Sequence, residues 1–281
     1  MFDSISLYPN PTRPVTFEVL KSAAQILAAQ KKRLLVQDAH REQLGGIEGV
    51  EFVSGGVFFS SDLIIAFGGD GTLLSASHAA LDYGTPILGV NCGHVGFMTS
   101  ISSEELCCLS DLTEDTFRIE ERMMLSVFLR GKEYHALNEA CVVSKNSCRL
   151  STFEVSVDGI TIGEYHADGI IVATSTGSTA YSLSAGGAAV DPRLDCLCIT
   201  PVCPHSLLRA RAIVVPPVSR INLSCLEKDV EEAVLCMDGR QEIELGADAV
   251  EIRKSTAVTR ILVPREHHFC NVLYSKFFER N

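Results

Sequence analysis

The sequence predicts an α/β N-terminal domain built on a parallel sheet, joined to an all-β, sandwich-like C-terminal domain, with the chain's tail returning to the first. Three observations lead there. Through residues 1–116, short unbroken apolar runs alternate with helical windows; over 117–255, short β-type segments follow at regular spacing; and 256–281 closes on a stretch of helical character. Alternating units imply a parallel sheet flanked by helices, and evenly spaced strands imply an antiparallel sandwich or a related β-domain. A chain of 281 residues is long enough for two such cores.

ISLYPN at 5–10 reads as a strand stopped by Pro9 and Pro11. Pro14 suits a helix N-terminus, and Val15, Val19, Ala23, Ile26 and Ala29 recur at helical spacing to about Gln30. RLLVQD (33–38), DLIIAF (62–67) and PILGVN (86–91) are further strands, the second apolar throughout and so buried on both faces. A helix is expected from Thr72 to Leu81. Beyond Phe117 the β-type segments are MLSVFLR (124–130), YHALNEACVV (134–143), TFEVSVDG (152–159), ITIGEYHADG (160–169), GIIVATS (169–175), AIVVPP (212–217), RINLSC (220–225), AVLCMDG (233–239) and AVEIRK (249–254). Val157-Asp158-Gly159 signals a hairpin. HHFCNVLYSKFFERN at the end reads as helix. With no long linker between them, the two domains are expected to share an interface.

Hydrophobic residues at 46% and charged residues at 21% exclude a mostly disordered chain. Lys plus Arg number 24 against 35 Asp plus Glu, a formal charge of -11, which argues against a nucleic-acid or anionic-membrane binder. Small anions remain open, since backbone N–H groups hold them. Eleven cysteines without a C-x-x-C pair, behind a start (MFDSISLYPN) lacking a basic then apolar leader, are read as reduced thiols in a cytoplasmic protein. Cys196, Cys198, Cys203 and His205 fit no usual zinc spacing and are read as ordinary residues. The uncharged run between Asp168 and Asp191 is too rich in hydroxyls and glycines to span a bilayer.

Three segments carry chemistry. Gly68-Gly69-Asp70-Gly71-Thr72 joins a buried strand to a helix, a place where backbone N–H groups and the helix dipole favour phosphate. Asp70 would repel a phosphate, so it reads as a metal ligand or as the base that takes a proton from an attacking hydroxyl; a plain Asx-capped turn is the structural alternative. Asn138-Glu139 interrupts an apolar run. Either the strand is an edge with Glu139 in water, or the pair is aimed at sugar hydroxyls. GIIVATSTGSTAYSLSAGG (169–187) passes from a buried strand into a hydroxyl-rich turn at 174–179; either a ligand such as a nucleoside supplies partners for its hydroxyls, or the turn is a solvent-exposed Ser/Thr loop, a reading that the Ala, Leu and Gly around it oppose.

GGDGT (68–72), NCGHVGF (91–97), NE (138–139), DGIIVATSTGSTAYSLSAGG (168–187) and TPVCPHSL (200–207), in this order, resemble the NAD kinases over most of the chain. His94 stands where the family often has Arg, and Arg211-Ala212 replaces its usual Arg-Pro. The resemblance implies an ATP- or polyphosphate-dependent phosphotransferase that moves the γ-phosphoryl group of ATP to the 2′-hydroxyl of the adenosine ribose of NAD, giving NADP. It implies a divalent metal, most simply Mg²⁺, and a homodimer or homotetramer. It makes Asp70 the general base, with Gly68, Gly69, Gly71 and Thr72 around the nucleotide. Asn138 and Glu139 would hold the ribose; Thr179, Ala180, Tyr181, Ser182, Leu183 and Ser184 would line the dinucleotide pocket. Asp168 would lie near the nicotinamide end, with Arg149, His166 and Arg240 at further ligand positions, or Gln241 in place of Arg240. The rivals are a lipid kinase sharing GGDGT, a non-catalytic dinucleotide sensor, and a hydrolase whose Ala173-x-Ser175-x-Gly177 would be a nucleophile elbow served by Asp191 or Asp195 and His205.

Overall fold

The computed structural model describes residues 2–93, 96–145, 151–205, 211–226 and 233–278. The chain forms two compact units, residues 1–121 with 259–281, and residues 122–258. Both crossings fall inside long strands, so the chain passes from unit to unit without a linker.

The first unit contains β1 (Ser4–Pro9), α1 (Val15–Ala28), β2 (Arg33–Gln37), α2 (Arg41–Leu44), β3 (Val50–Val53), α3 (Gly56–Phe59), β4 (Leu63–Gly68), α4 (Asp70–Ala79), β5 (Ile87–Asn91) and the short β6 (Ile101–Ser102). Its sheet runs β3-β2-β1-β4-β5 with every pair parallel. β2 and β3 lie on one side of β1, and β4 and β5 on the other. The order therefore reverses between β1 and β4, the position where open α/β sheets bind ligands beyond the strand ends. β4 is buried along its whole length, as its unbroken apolar run requires.

α1 forms where expected but buries a different stripe. Phe17, Leu20, Ala23, Ala24 and Leu27 face the sheet, while Val15 and Ala29 are exposed and Val19 and Ile26 half-buried. The sequence offers two overlapping stripes, and the one carrying Phe and two Leu removes more apolar area from water.

The second unit takes in most of β7 (Phe117–Leu129), then β8 (Lys132–Ala136), β9 (Glu139–Ser144), β10 (Ser151–Val157), β11 (Ile160–Ala167), β12 (Gly169–Thr174), α5 (Tyr181–Ser184), β13 (Leu197–Val202), β14 (Ile213–Val215), β15 (Ile221–Cys225), β16 (Ala233–Met237), β17 (Gln241–Glu244) and the first part of β18 (Val250–Pro264). One sheet has the order β14-β13-β12-β9-β16-β17; the other brings together β7, β8, β10, β11, β15 and β18. Val142, Ile170, Val172, Ile199 and Leu235 from the first sheet meet Leu125, Val127, Phe153, Leu223 and Ile252 from the second in one core. This is sandwich packing. Asp158 and Gly159 both take positive φ between β10 and β11, as a two-residue hairpin demands.

One predicted strand is two. The run 134–143 breaks at Leu137-Asn138, so β8 pairs with β7 in one sheet while β9 lies between β12 and β16 in the other. β18 continues past Lys254, where the sequence pattern predicts a stop, to Pro264. It carries the chain back to the first unit, where Ile261 pairs in parallel with Ile87, and α6 (Phe269–Phe278) follows.

That return is held by Arg118. Its guanidinium donates to the carbonyls of Pro264 (3.1 Å), Arg265 (2.7 Å) and His267 (2.9 Å), and pairs with Glu120 at 2.6 Å. Arg118→Ala is expected to destabilise the protein by about 2 kcal/mol, and Arg118→Lys by nearly as much because an ammonium cannot span three carbonyls. Urea unfolding midpoints of the two variants check this.

Candidate active site

In the first unit, the GGDGT segment lies at the switch point. Asn10, just past β1, donates from its backbone N–H to the Phe67 carbonyl (2.9 Å) and from Nδ2 to Thr72 Oγ1 (3.2 Å). Thr72 is thereby buried and used in holding the turn. Gly69 and Gly71 have open space where a Cβ would stand, so their backbone is accessible.

Asp70 opens α4 but caps nothing on it, so the Asx-cap alternative does not hold. Its carboxylate reaches the segment 97–99. Oδ2 accepts from Phe97 N–H (2.7 Å); Oδ1 accepts from Met98 N–H (3.1 Å), Thr99 N–H (3.0 Å) and Thr99 Oγ1 (3.1 Å). Only a glycine fits at 96, because a Cβ there would overlap the Asp70 carboxylate.

In the second unit, β9 is an interior strand and Glu139 is only 7% exposed, which removes the reading of a solvent-facing edge. The break before β9 is organised by Asp238, which no sequence motif singles out. Asp238 sits in the β16–β17 turn at φ +51° and accepts from the N–H groups of Leu137 (2.8 Å), Asn138 (2.8 Å) and Glu139 (3.0 Å). Met237-Asp238-Gly239 carries a turn signal, but nothing local points its carboxylate at a target a hundred residues upstream. Asn138 makes a second backbone bond, its carbonyl accepting from Thr174 N–H (2.9 Å), and Gly177 lies so close to that carbonyl that a Cβ there would overlap it.

Most of the hydroxyls in 174–184 are satisfied from within. Thr174 Oγ1 donates to the Leu137 carbonyl (2.7 Å) and accepts from Gly177 N–H (2.9 Å). Ser178 bonds the Ser175 carbonyl and Val190, and Ser182 bonds Thr200 (2.9 Å). Much of the run thus finds its partners without a ligand: the Leu137 carbonyl, Thr200 of β13 and the turns between Ser175 and Val190 supply them. Four buried polar atoms of this region have no partner among the described residues: Asn138 Oδ1, Glu139 Oε2, Ser175 Oγ and Thr176 Oγ1.

The remaining candidates are scattered in character. Thr179, Ala180 and Leu183 are half-buried, and Tyr181, Ser184 and Arg240 are exposed. Asp168, half-buried between β11 and β12, takes a hydrogen bond from the Cys203 thiol, which lifts that thiol's pKa. His166 Nδ1 lies 2.9 Å from Thr152 Oγ1. Arg149 and His94 lie outside the described residues, as do Ser206 and Leu207 of the TPVCPHSL motif. Gln241 begins β17. The elbow triad is not assembled: Ser175 Oγ is buried without a partner among the described residues, Asp191 pairs with Arg193, and Asp195 with Lys254. Cys196 and Cys198 pack in an apolar cluster with Cys141, Ile171 and Val202.

Burial, reinforced by the facing Asp238 carboxylate, pushes the Glu139 carboxyl up to about 8 from an ordinary 4.5. A raised folded-state value means that the neutral group's contribution is fully present below about 4.5 and is lost as pH climbs through about 8. Between those limits the ligand-free protein is expected to lose stability relative to Glu139→Gln, by on the order of a few kcal/mol. Urea midpoints of both proteins at the two ends of this pH range check it. A flat difference would mean that the carboxyl is solvated.

Residues 56–114 match the family model described as the ATP-NAD kinase N-terminal domain, and residues 137–262 match that of the ATP-NAD kinase C-terminal domain. The NAD kinase of Caldanaerobacter subterraneus subsp. tengcongensis is 34% identical over 283 residues, covering 98% of this chain and 99% of its own. That of Geobacter sulfurreducens is 38% identical over 264 residues, covering 90% and 92%. In fold, the chain is similar to yeast NADH kinase complexed with NADH (TM-score 0.83, 21% identity, 100% and 89% covered). It is also similar to an NAD kinase from Archaeoglobus fulgidus in complex with ATP (TM-score 0.74, 24% identity, 97% of each chain). Two domain models in the right order and full-length identity to curated relatives place the chain in the NAD kinase family.

Proposed function

We propose that this protein transfers the γ-phosphoryl group of ATP to the 2′-hydroxyl of the adenosine ribose of NAD. The observation that carries this reading is the set of buried polar atoms on two adjoining segments, Asn138 Oδ1, Glu139 Oε2, Ser175 Oγ and Thr176 Oγ1, which have no partner among the described residues. Orphaned groups of this kind cost roughly 1–3 kcal/mol each unless a ligand satisfies them. A ribose and a purine amino group present the donors and acceptors to do so; a lipid tail does not. Asn138 and Glu139 hold the ribose, and Thr179 to Ser184 with Asp168 flank the dinucleotide. Ser182, whose hydroxyl is bonded to Thr200, acts through its backbone.

In the first unit, Gly69 to Gly71 offer backbone N–H groups and the start of α4 to the phosphates of ATP. Asp70 receives the proton as the hydroxyl attacks: the O–H bond breaks, the oxygen–phosphorus bond forms, and ADP leaves. Oδ1 already carries three donors, so Oδ2 has the lone pair for that proton. Among the described residues no three His, Cys, Asp or Glu side chains converge on a metal position. A divalent metal such as magnesium would enter with ATP, held mainly by its phosphates and by water, and would neutralise phosphate charge there. No helix of the described residues is long and apolar enough to cross a membrane. The family resemblance, not that observation, carries the proposal of a cytoplasmic homo-oligomer.

Asp70→Asn is expected to lower turnover about a hundredfold or more while NAD still binds, with some loss of stability because the amide opposes an N–H of segment 97–99. Near-wild-type turnover would remove Asp70 from the chemistry. NAD lacking the adenosine 2′-hydroxyl is expected to compete with NAD but accept no phosphate, read with γ-labelled ATP. Label on that analogue would mean that another hydroxyl is attacked, and label on diacylglycerol in preference to NAD would mean a lipid kinase.

A further inference from the structure

Asp70 is not free to turn. Thr99, 3% exposed, donates its hydroxyl and its backbone N–H to Oδ1, and Asn91, 4% exposed, donates Nδ2 to Thr99 Oγ1 at 3.2 Å. Asn91 is itself fixed by Gly93 N–H, which donates to its Oδ1 at 2.7 Å. A threonine hydroxyl has one proton. Because Asn91 offers it an N–H, that proton points to Asp70, and the relay has a single direction, from Asn91 through Thr99 to the carboxylate.

The consequence for the carboxylate is geometric. Three donors saturate Oδ1, and one donor, Phe97 N–H, leaves Oδ2 a single acceptor position. Rotation about the Cβ–Cγ bond would aim that position elsewhere, and the donors on Oδ1 oppose the rotation. We propose that Thr99, oriented by Asn91, is a positioning residue for phosphoryl transfer: it aims the one open lone pair of Asp70 at the attacking hydroxyl. This rests on the reading that Asp70 Oδ2 takes the proton of that hydroxyl. Thr99 stands in none of the motifs that identify the site by sequence, and the backbone N–H bonds alone would hold the segment 97–99 in place.

The test compares kcat, the KM values for NAD and ATP, and Tm for Thr99→Val, Thr99→Ser, Asn91→Asp and Asp70→Asn. Thr99→Val keeps the shape and removes the hydroxyl; Asn91→Asp keeps the bond to Gly93 N–H but draws the Thr99 proton away from Asp70. Both are expected to lower kcat about ten- to a hundredfold with both KM values within about twofold, the scale of a misaimed reacting group. Thr99→Ser is expected to recover kcat to within about threefold of the unaltered protein, since it restores the aiming hydroxyl. If Thr99→Val does not fold, Asn91→Asp with Thr99→Ser carries the comparison. Unchanged kcat in Thr99→Val and Asn91→Asp, alongside an impaired Asp70→Asn, overturns the positioning role and leaves Asp70 standing. Parallel losses in kcat, KM and Tm, without recovery in Thr99→Ser, also overturn it, since they indicate a structural part only. An Asp70→Asn enzyme with ordinary turnover removes the reading beneath it.

Discussion

Three consecutive backbone N–H groups, at Leu137, Asn138 and Glu139, are satisfied by one carboxylate, that of Asp238. That constraint makes the second unit what it is. At this point the chain leaves one sheet and enters the other, so its N–H groups pass out of one ladder before joining the next. Buried N–H groups must find partners, and an ionised acceptor satisfies them strongly. The bonds fix the break, the break aims Asn138 and Glu139, and the Asp238 charge helps keep the Glu139 carboxyl protonated up to about 8.

The two units solve a similar problem in a similar way. Asp70 gathers the N–H groups of 97–99 as Asp238 gathers those of 137–139, each through contacts distant in sequence. Each meeting also needs a glycine where another group presses in: Gly96 against the Asp70 carboxylate, Gly177 against the Asn138 carbonyl. The glycines in these motifs therefore answer first to internal packing, while Gly69 and Gly71 face open space and leave backbone for a ligand.

The hydroxyl-rich segment shows how a polar stretch becomes buried without carrying a heavy penalty. Thr174, Ser178 and Ser182 bond the Leu137 and Ser175 carbonyls, the Val190 N–H and Thr200, so these hydroxyls are satisfied by the protein. What remains is small and local: Ser175 and Thr176 beside Asn138 and Glu139. A site with few unsatisfied atoms in fixed positions discriminates by the hydrogen bonds a ligand makes or fails to make.

Local pattern is legible wherever local physics decides it. The all-apolar β4, the positive-φ Asp158-Gly159 turn and the GGDGT junction between β4 and α4 follow from side-chain burial, backbone sterics and helix-end chemistry over a few residues. The α/β-then-β organisation is legible as well, because the change from alternating helical and apolar windows to evenly spaced strands is a pattern of contiguous segments. The sequence misleads on α1's buried face, where two stripes compete and only the sheet beneath selects one. It shows 134–143 as one strand because nothing in that run marks the break; Asp238, about a hundred residues on, makes it. It points to Asp70 but assigns no part to Thr99, which reaches its carboxylate, or to Asn91, which bonds Thr99, since these contacts form only after β4, α4 and β5 have packed. Contiguous motifs thus single out Asp70, Asn138 and Glu139 as candidates, and tertiary structure decides which donors and acceptors meet them, because a hydrogen bond depends on distance in space and not on distance along the chain.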